Sequence, residues 1–333
     1  MNHYQLLRAT SRTFALSIER LPGNVREALC LAYLILRISD FLEDNDYMLP
    51  PRKVELLKLW DAILAGEAPA ERLVKALSDH APAPADADAE AAHEAPAILA
   101  ALRQLPPALQ NHVLVHVRNS TQGMARWVAR GPNIRQEMDM DDYMHEVAGR
   151  VGYLVTDIFA WYSGFIHARL EKLMPLAREF GLALQTVNII RGLRKDYERG
   201  WIYVPESFCA AVNLRRTDLF DPAYQMEALQ VVNMLADKAE RHLAAALEYV
   251  EALPRWLHAL RLACIWPLLF AVRTLAISRR NVNVLMGEVK MTREEVKAIV
   301  RDTTLFGWSN HWLERYYHHL QSAPPAQLAA LHK

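Results

Sequence analysis

The segment Pro22–Asp44, PGNVREALCLAYLILRISDFLED, decides the fold. A Pro-Gly-Asn turn opens it, and apolar residues then occupy nearly every side of a 3.6-residue period, as in a helix central to a core. Its end changes character. Asp40, Glu43 and Asp44 stand at i, i+3 and i+4, so three carboxyl groups are predicted to share one helical face. Grouped carboxylates repel one another unless a cation lies between them. Hard divalent ions such as Mg²⁺ take oxygen ligands, keep several waters, and share their shell with phosphate oxygens. A diphosphate is therefore the natural third party; a solvated helix end is the plainer alternative.

Outward from this segment, three- and four-residue apolar spacing runs through almost the whole chain, and alternating strand patterns are scarce. With only twelve glycines among 333 residues, this predicts an all-α protein. The stretch MTREEVKAIVRDTTLF places Thr292 and Glu295 at capping-box spacing. Residues 78–98, SDHAPAPADADAEAAHEAPAI, carry alanine, proline and acid with no large apolar residue until the end, which predicts a surface loop. Helices on both sides of it can share one core, so the whole chain, 1–333, is expected to form a single domain.

Composition narrows the function. Hydrophobic residues make up 52% of the chain, enough for a large core, while 38 basic and 38 acidic residues cancel and give no reason to expect nucleic acid. Cys30, Cys209 and Cys264 follow no metal-ligand spacing and fit a reducing cytoplasm. No uncharged run is long enough to cross a bilayer, so no transmembrane helix is expected, though peripheral membrane contact stays open. No phosphate-binding or dinucleotide-binding glycine pattern occurs.

A second polar helix lies downstream. GLALQTVNIIRGLRKD sets Gln185, Asn188, Gly192 and Asp196 on one stripe, with Arg191, Arg194 and Lys195 beside it. Amides and carboxylates within an apolar segment need partners, which suggests a lined cavity. Between the two helices, DDYMHEVAGRVGYLVTDIFAWYSG holds Gly149 and Gly152 in a helical pattern. Each costs about 1 kcal/mol relative to alanine, so a close approach by another helix or a ligand is expected there. Tyr143 sits next to charged residues where that helix starts.

The motifs SRTF (11–14), YLILRISDFLED (33–44), TQGM (121–124), YMHEVAGRVG (143–152) and LQTVNIIR…D…RGWIYVP (184–205) resemble, in order, those of the squalene/phytoene synthase family. The resemblance implies an all-α isoprenoid-synthase (class I terpenoid synthase) helical bundle around a central apolar cavity. It also implies prenyltransferase activity: one prenyl diphosphate ionises to an allylic cation, a second attacks it, and a cyclopropyl diphosphate forms, as in isoprenoid and terpene biosynthesis. By matching position, Asp40, Glu43 and Asp44 are expected to hold Mg²⁺, joined by Asn188 and Asp196 from the second motif. Arg12, Tyr33, Arg37, Gln185, Asn188 and Arg191 would line the diphosphates; Lys195 matches no family ligand, but its charge beside the second motif makes it a candidate to replace one metal ion there. Tyr143 would guide a cation or a proton, with Asp40 and Asp44 as its catalytic companions. NADPH use is left open, because the family binds it without a glycine motif.

The match fails at one place. The family's second motif is D-x-x-E-D, and this chain reads GLRKD, with Gly192 and Lys195 where acids belong; Glu146 likewise replaces a usual tyrosine. Likeness to the squalene branch points to farnesyl diphosphate, with geranylgeranyl diphosphate as the other candidate, and to a presqualene- or squalene-type product. Two alternatives remain. One is an enzyme that ionises a single prenyl diphosphate and cyclises, hydrolyses or transfers it; the other is a non-catalytic lipid-binding or assembly relative.

Overall fold

The structure, a computed structural model, describes residues 2–80 and 87–323, less the side chains of Arg12, Asp79 and His80. Among the described residues there are helices and connections and no strand, as the apolar spacing predicted. The chain divides into two compact units rather than one. The first comprises residues 1–131 and 150–170; the second comprises 132–149 and 171–333. Sequence periodicity could not reveal this division, because each unit is helical and each is assembled from two separated stretches of chain.

In the first unit the helix Gly23–Asp44 is the axis. Fourteen of its residues are buried, from Val25 to Glu43, and it packs against Pro107–Arg130, Pro50–Leu64, Ala87–His93 and Arg150–Tyr162. Pro22 holds an extended backbone at its start. At its far end the buried Lys53 ammonium donates to the Glu43 carbonyl at 2.6 Å, satisfying one of the acceptors a helix C-terminus leaves open. One polar pair lies inside the packing: the Ser39 and Thr121 hydroxyls meet at 2.7 Å, and Thr121 donates to the Val117 carbonyl at 2.8 Å. Both hydroxyls are thereby paired in a dry place.

The surface loop expected at 78–98 is corrected by the structure. Residues 81–86 lie outside the described residues, but Ala87–His93 and Ala95–Leu102 are helices, and Glu71–His80 reaches into the stretch from the other side. Ala89, Ala91, Ala92, Ala95 and Ile98 are all buried. Alanine is apolar but too small to signal burial by itself, and Pro96 sits in the first turn of its helix, where the missing N–H costs nothing.

In the second unit His258–Ser278 is the axis, packed by Gln225–Ala252, Arg293–Phe306 and Asn310–Ser322. By length and composition this helix could cross a membrane, yet 83% of that apolar window is buried inside the protein. Its two arginines are buried and paired. Arg261 donates to the Val250 and Leu253 carbonyls at 2.7 and 2.9 Å and to Asn310 at 2.7 Å; burial pulls its pKa down to about 10. Arg273 meets Glu295 at 2.8 Å. The capping box at Thr292 and Glu295 forms as predicted, so Glu295 both closes a helix start and neutralises a core arginine.

Also in this unit, Gly149 and Gly181 answer the question raised by the glycine in the 143–162 segment. His145–Gly149 forms a single π-helical turn, and the helix Leu170–Glu198 passes against it. A Cβ on Gly181 would lie 2.2 Å from the Ala148 carbonyl oxygen and 2.8 Å from the Gly149 Cα. Only a residue without a side chain permits that crossing. A Cβ on Gly149 would meet the His145 ring of its own turn at 2.8 Å and Leu182 and Arg178 of the crossing helix at 3.2 and 3.4 Å, so its glycine makes room for both.

Candidate functional site

The first unit gathers Tyr33, Arg37, Asp40, Glu43 and Asp44 on one helix. Arg37 donates to Asp40 at 2.9 Å and to both oxygens of Asp88, a bidentate grip with one contact at 3.1 Å and a second shorter one. Burial works against the Arg37 charge, but Asp40 and Asp88 hold its pKa above the ordinary value. Asp40 itself is pushed up to about 6 by burial; Arg37 opposes the shift, while Asp44 and Asp88 add to it. Tyr33 is half-buried 5.6 Å from the Phe14 ring, and burial raises its pKa against the pull of Arg37 and hydrogen bonds with Thr10 and Ser11. Arg12 begins a helix, but its side chain lies outside the described residues.

The three acids are not equivalent, contrary to the single face expected of them. Asp44 is exposed, Asp40 is partly covered, and Glu43 is buried at 6% exposure. Among the described residues no three His, Cys, Asp or Glu side chains converge as a ready ligand cluster. Even so, the donor set suits Mg²⁺. Two hard oxygen donors stand one helical turn apart, and Asp40 is a carboxylate whose burial and acidic neighbours all disfavour its charge, an imbalance that a divalent cation relieves. Mg²⁺ needs only one or two protein carboxylates when phosphate and water fill the remaining positions.

The second unit holds the other predicted residues, on the Leu170–Glu198 helix. Gln185 is half-buried and Asn188, Arg191 and Lys195 are exposed, so the polar stripe is real but more open than its apolar surroundings suggested. As Arg37 does to Asp40, Arg199 donates to Asp196, here at 2.5 Å, and the Asp196 carboxylate folds toward the space above Gly192, where a Cβ would lie 3.3 Å away. Asp196 is therefore the one acid beside Asn188 on the stripe. One amide and one carboxylate beside the exposed cations Arg191 and Lys195 leave the site too positive to suit Mg²⁺, and this correction to the predicted Asn188/Asp196 ligation follows from the absent acids at Gly192 and Lys195.

Tyr143 is buried, and its hydroxyl donates to that of Tyr203 at 3.1 Å. The two rings stack at 4.7 Å, and Trp201 stacks on Tyr203 at 5.6 Å. Tyr203 and Trp201 belong to the RGWIYVP segment but went unremarked as site residues. So did Asp88, hidden in the alanine-rich tract, and Glu288, which faces Arg191 at 3.7 Å and pairs with Lys290. An open polar depression in this unit, lined by Met138, Asp141, Asp142, His145 and Arg178, includes none of the predicted residues.

Comparison with known proteins follows the same lines. Residues 7–295 match the family model described as Squalene/phytoene synthase. The chain is 27% identical over 327 residues to the squalene synthase of Homo sapiens, covering 97% of this chain and 75% of that protein. To the squalene synthase of Schizosaccharomyces pombe it is 27% identical over 302 residues, covering 89% and 63%. Among solved structures, the complex of TcSQS with the ligand E5700 superposes with a TM-score of 0.84 at 24% identity, covering 98% of this chain and 92% of that one. A dehydrosqualene synthase complex gives 0.61 at 17% identity, covering 94% and 96%. These likenesses carry the fold: an all-α isoprenoid-synthase architecture.

Proposed function

Because the chain belongs to the squalene/phytoene synthase family, head-to-head joining of prenyl diphosphates is its reaction class, and we propose that it couples two farnesyl diphosphates with the help of Mg²⁺. The observation that carries this reading is the Arg37–Asp40–Asp88 network, with the exposed Asp44 one turn beyond Asp40 on the same helix.

Asp40 and Asp44 would hold the metal, which supplies Lewis-acid stabilisation of the leaving diphosphate. Arg37, fixed by Asp40 and Asp88, keeps the Asp40 carboxylate oriented toward that role. Tyr143 offers a ring face already stacked on Tyr203, and electron-rich aromatic faces attract cations. Its hydroxyl, donating to Tyr203, gives a proton a defined path along two phenols. At the second motif Arg191 and Lys195 replace carboxylate-bound metal with fixed positive charge. Charge-assisted hydrogen bonds from such side chains also stabilise a phosphate.

Two experiments test this reading. Purified protein is incubated with Mg²⁺ and farnesyl or geranylgeranyl diphosphate, with and without NADPH, and the organic-soluble products are identified. A thirty-carbon product from farnesyl diphosphate is expected. Fifteen-carbon alcohols, cyclic hydrocarbons or adducts would replace this reading with a one-substrate reaction, and no diphosphate release would leave a binding protein. The double variant Gly192→Asp, Lys195→Glu rebuilds the family's acidic pattern. It is expected to turn over no faster than wild type, because it exchanges a working cation for an acid; a clear gain in turnover would mean that the acids were merely lost.

A further inference from the structure

Glu288 lies on the short connection between Leu285, which is buried, and Thr292, which closes the start of the next helix. Its position is tethered at both ends, and its carboxylate meets two cations with a third close enough to act on it electrostatically. Lys290 pairs with Oε2, Arg191 stands 3.7 Å from Oε1, and Lys195 is on the same helix one turn after Arg191. Lys290, then Arg191 and Lys195, hold the Glu288 carboxyl below its ordinary pKa despite some burial. Three positive groups around one negative group leave the cluster two charges short of neutral.

Lys290 holds one Glu288 oxygen closely, while the contact with Arg191 is loose. At 3.7 Å the Arg191–Glu288 pair is beyond hydrogen-bond length, and the partners are 44% and 35% exposed. Exposed pairs of this kind contribute little, about 0–1 kcal/mol. A polyvalent anion offers the same cations more charge and more acceptor oxygens than a single carboxylate. We propose that Glu288 is a displaceable counter-anion occupying a diphosphate position formed by Arg191, Lys195 and Lys290, so that substrate must dislodge it to bind there. The inference rests on the reading of Arg191 and Lys195 as diphosphate ligands, and adds Lys290 as the third cation and Glu288 as the group that competes with substrate.

Titration calorimetry with inorganic pyrophosphate in the absence of Mg²⁺ tests it, on the full chain and three variants. Glu288→Gln is expected to bind pyrophosphate about tenfold more tightly than wild type, because the competing charge is gone. Glu198→Gln makes the same change in net charge on the neighbouring exposed helix surface without vacating the cluster, and should bind as wild type does. Equal tightening in both variants, or none in Glu288→Gln, overturns the proposal. Lys195→Gln separates the two layers: if it leaves pyrophosphate affinity unchanged, the cationic diphosphate site itself is wrong. If it weakens binding while Glu288→Gln gains nothing, only the role given to Glu288 falls.

Discussion

Asp40→Asn is expected to slow diphosphate release from farnesyl diphosphate by about 10²–10³-fold, the range seen when one element of transition-state charge stabilisation is removed from an enzyme. Asparagine keeps the shape and can still accept from Arg37, while the bidentate Arg37–Asp88 pair remains to fix the guanidinium. Thermal stability should therefore change little, and the loss should appear in turnover. It should not be recovered by raising substrate, and only in part by raising Mg²⁺. Near-wild-type turnover in this variant would detach Asp40 from the chemistry. The measurement is steady-state pyrophosphate release across an Mg²⁺ series, with the thermal midpoint recorded alongside.

The largest effect on stability is expected at Gly181. Its missing Cβ lies 2.2 Å from the Ala148 carbonyl oxygen, and that neighbour is backbone, which cannot swing aside as a side chain can. Gly181→Ala must push the Leu170–Glu198 helix away from the π-helical turn, at a cost of about 3 kcal/mol, the upper end for overpacking. In a unit of this size that lowers the thermal midpoint on the order of 6–12 °C. Gly192→Ala supplies the contrast on the same helix. Its Cβ would meet only the Asp196 carboxylate oxygen, at 3.3 Å on a movable side chain, and alanine favours the helix by about 1 kcal/mol. It should be neutral or stabilising. Equal destabilisation by both variants would show that helix propensity, not the crossing with Ala148, sets the need for glycine.

These residues also show what a sequence discloses. The helix ending in Asp40, Glu43 and Asp44 was legible because a run of large apolar residues leaves one arrangement and the acids break it sharply. The capping box at Thr292 was legible for a similar reason, since the chemistry is local and three residues wide. Asp88 was not: its helix buries alanines, and alanine signals neither inside nor outside, so the partner that fixes Arg37 lay in a stretch that looked like loop. Tyr203 and Glu288 were missed because their partners, Tyr143 and Arg191, are distant in sequence, and pairing at long range leaves no local spacing to read; Lys290 went with Glu288, its neighbour two residues away. The exposure of Asn188 escaped for a different reason. A polar residue among apolar ones is consistent with a lined cavity or with an open helix surface, and only coordinates distinguish them.

The departure at Gly192 and Lys195 gives the chain its individual character. In place of a second acidic motif it presents Arg191, Lys195 and Lys290, of whose charge Glu288 offsets one part in three. Asp196 turns instead to Arg199, a local i,i+3 pair that carries the helix into its final turn. The proposed reaction asks whether fixed cations can do for one diphosphate what a metal held by Asp40 and Asp44 would do for the other.

The most direct measurement mixes unlabelled farnesyl diphosphate with the same compound carrying deuterium, supplies Mg²⁺, and weighs the products by mass spectrometry. If two farnesyl diphosphates are joined, the thirty-carbon product appears unlabelled, half-labelled and fully labelled in the proportions of random pairing. Fifteen-carbon products alone, each either labelled or not, would show that only one diphosphate is ever engaged and would contradict the account.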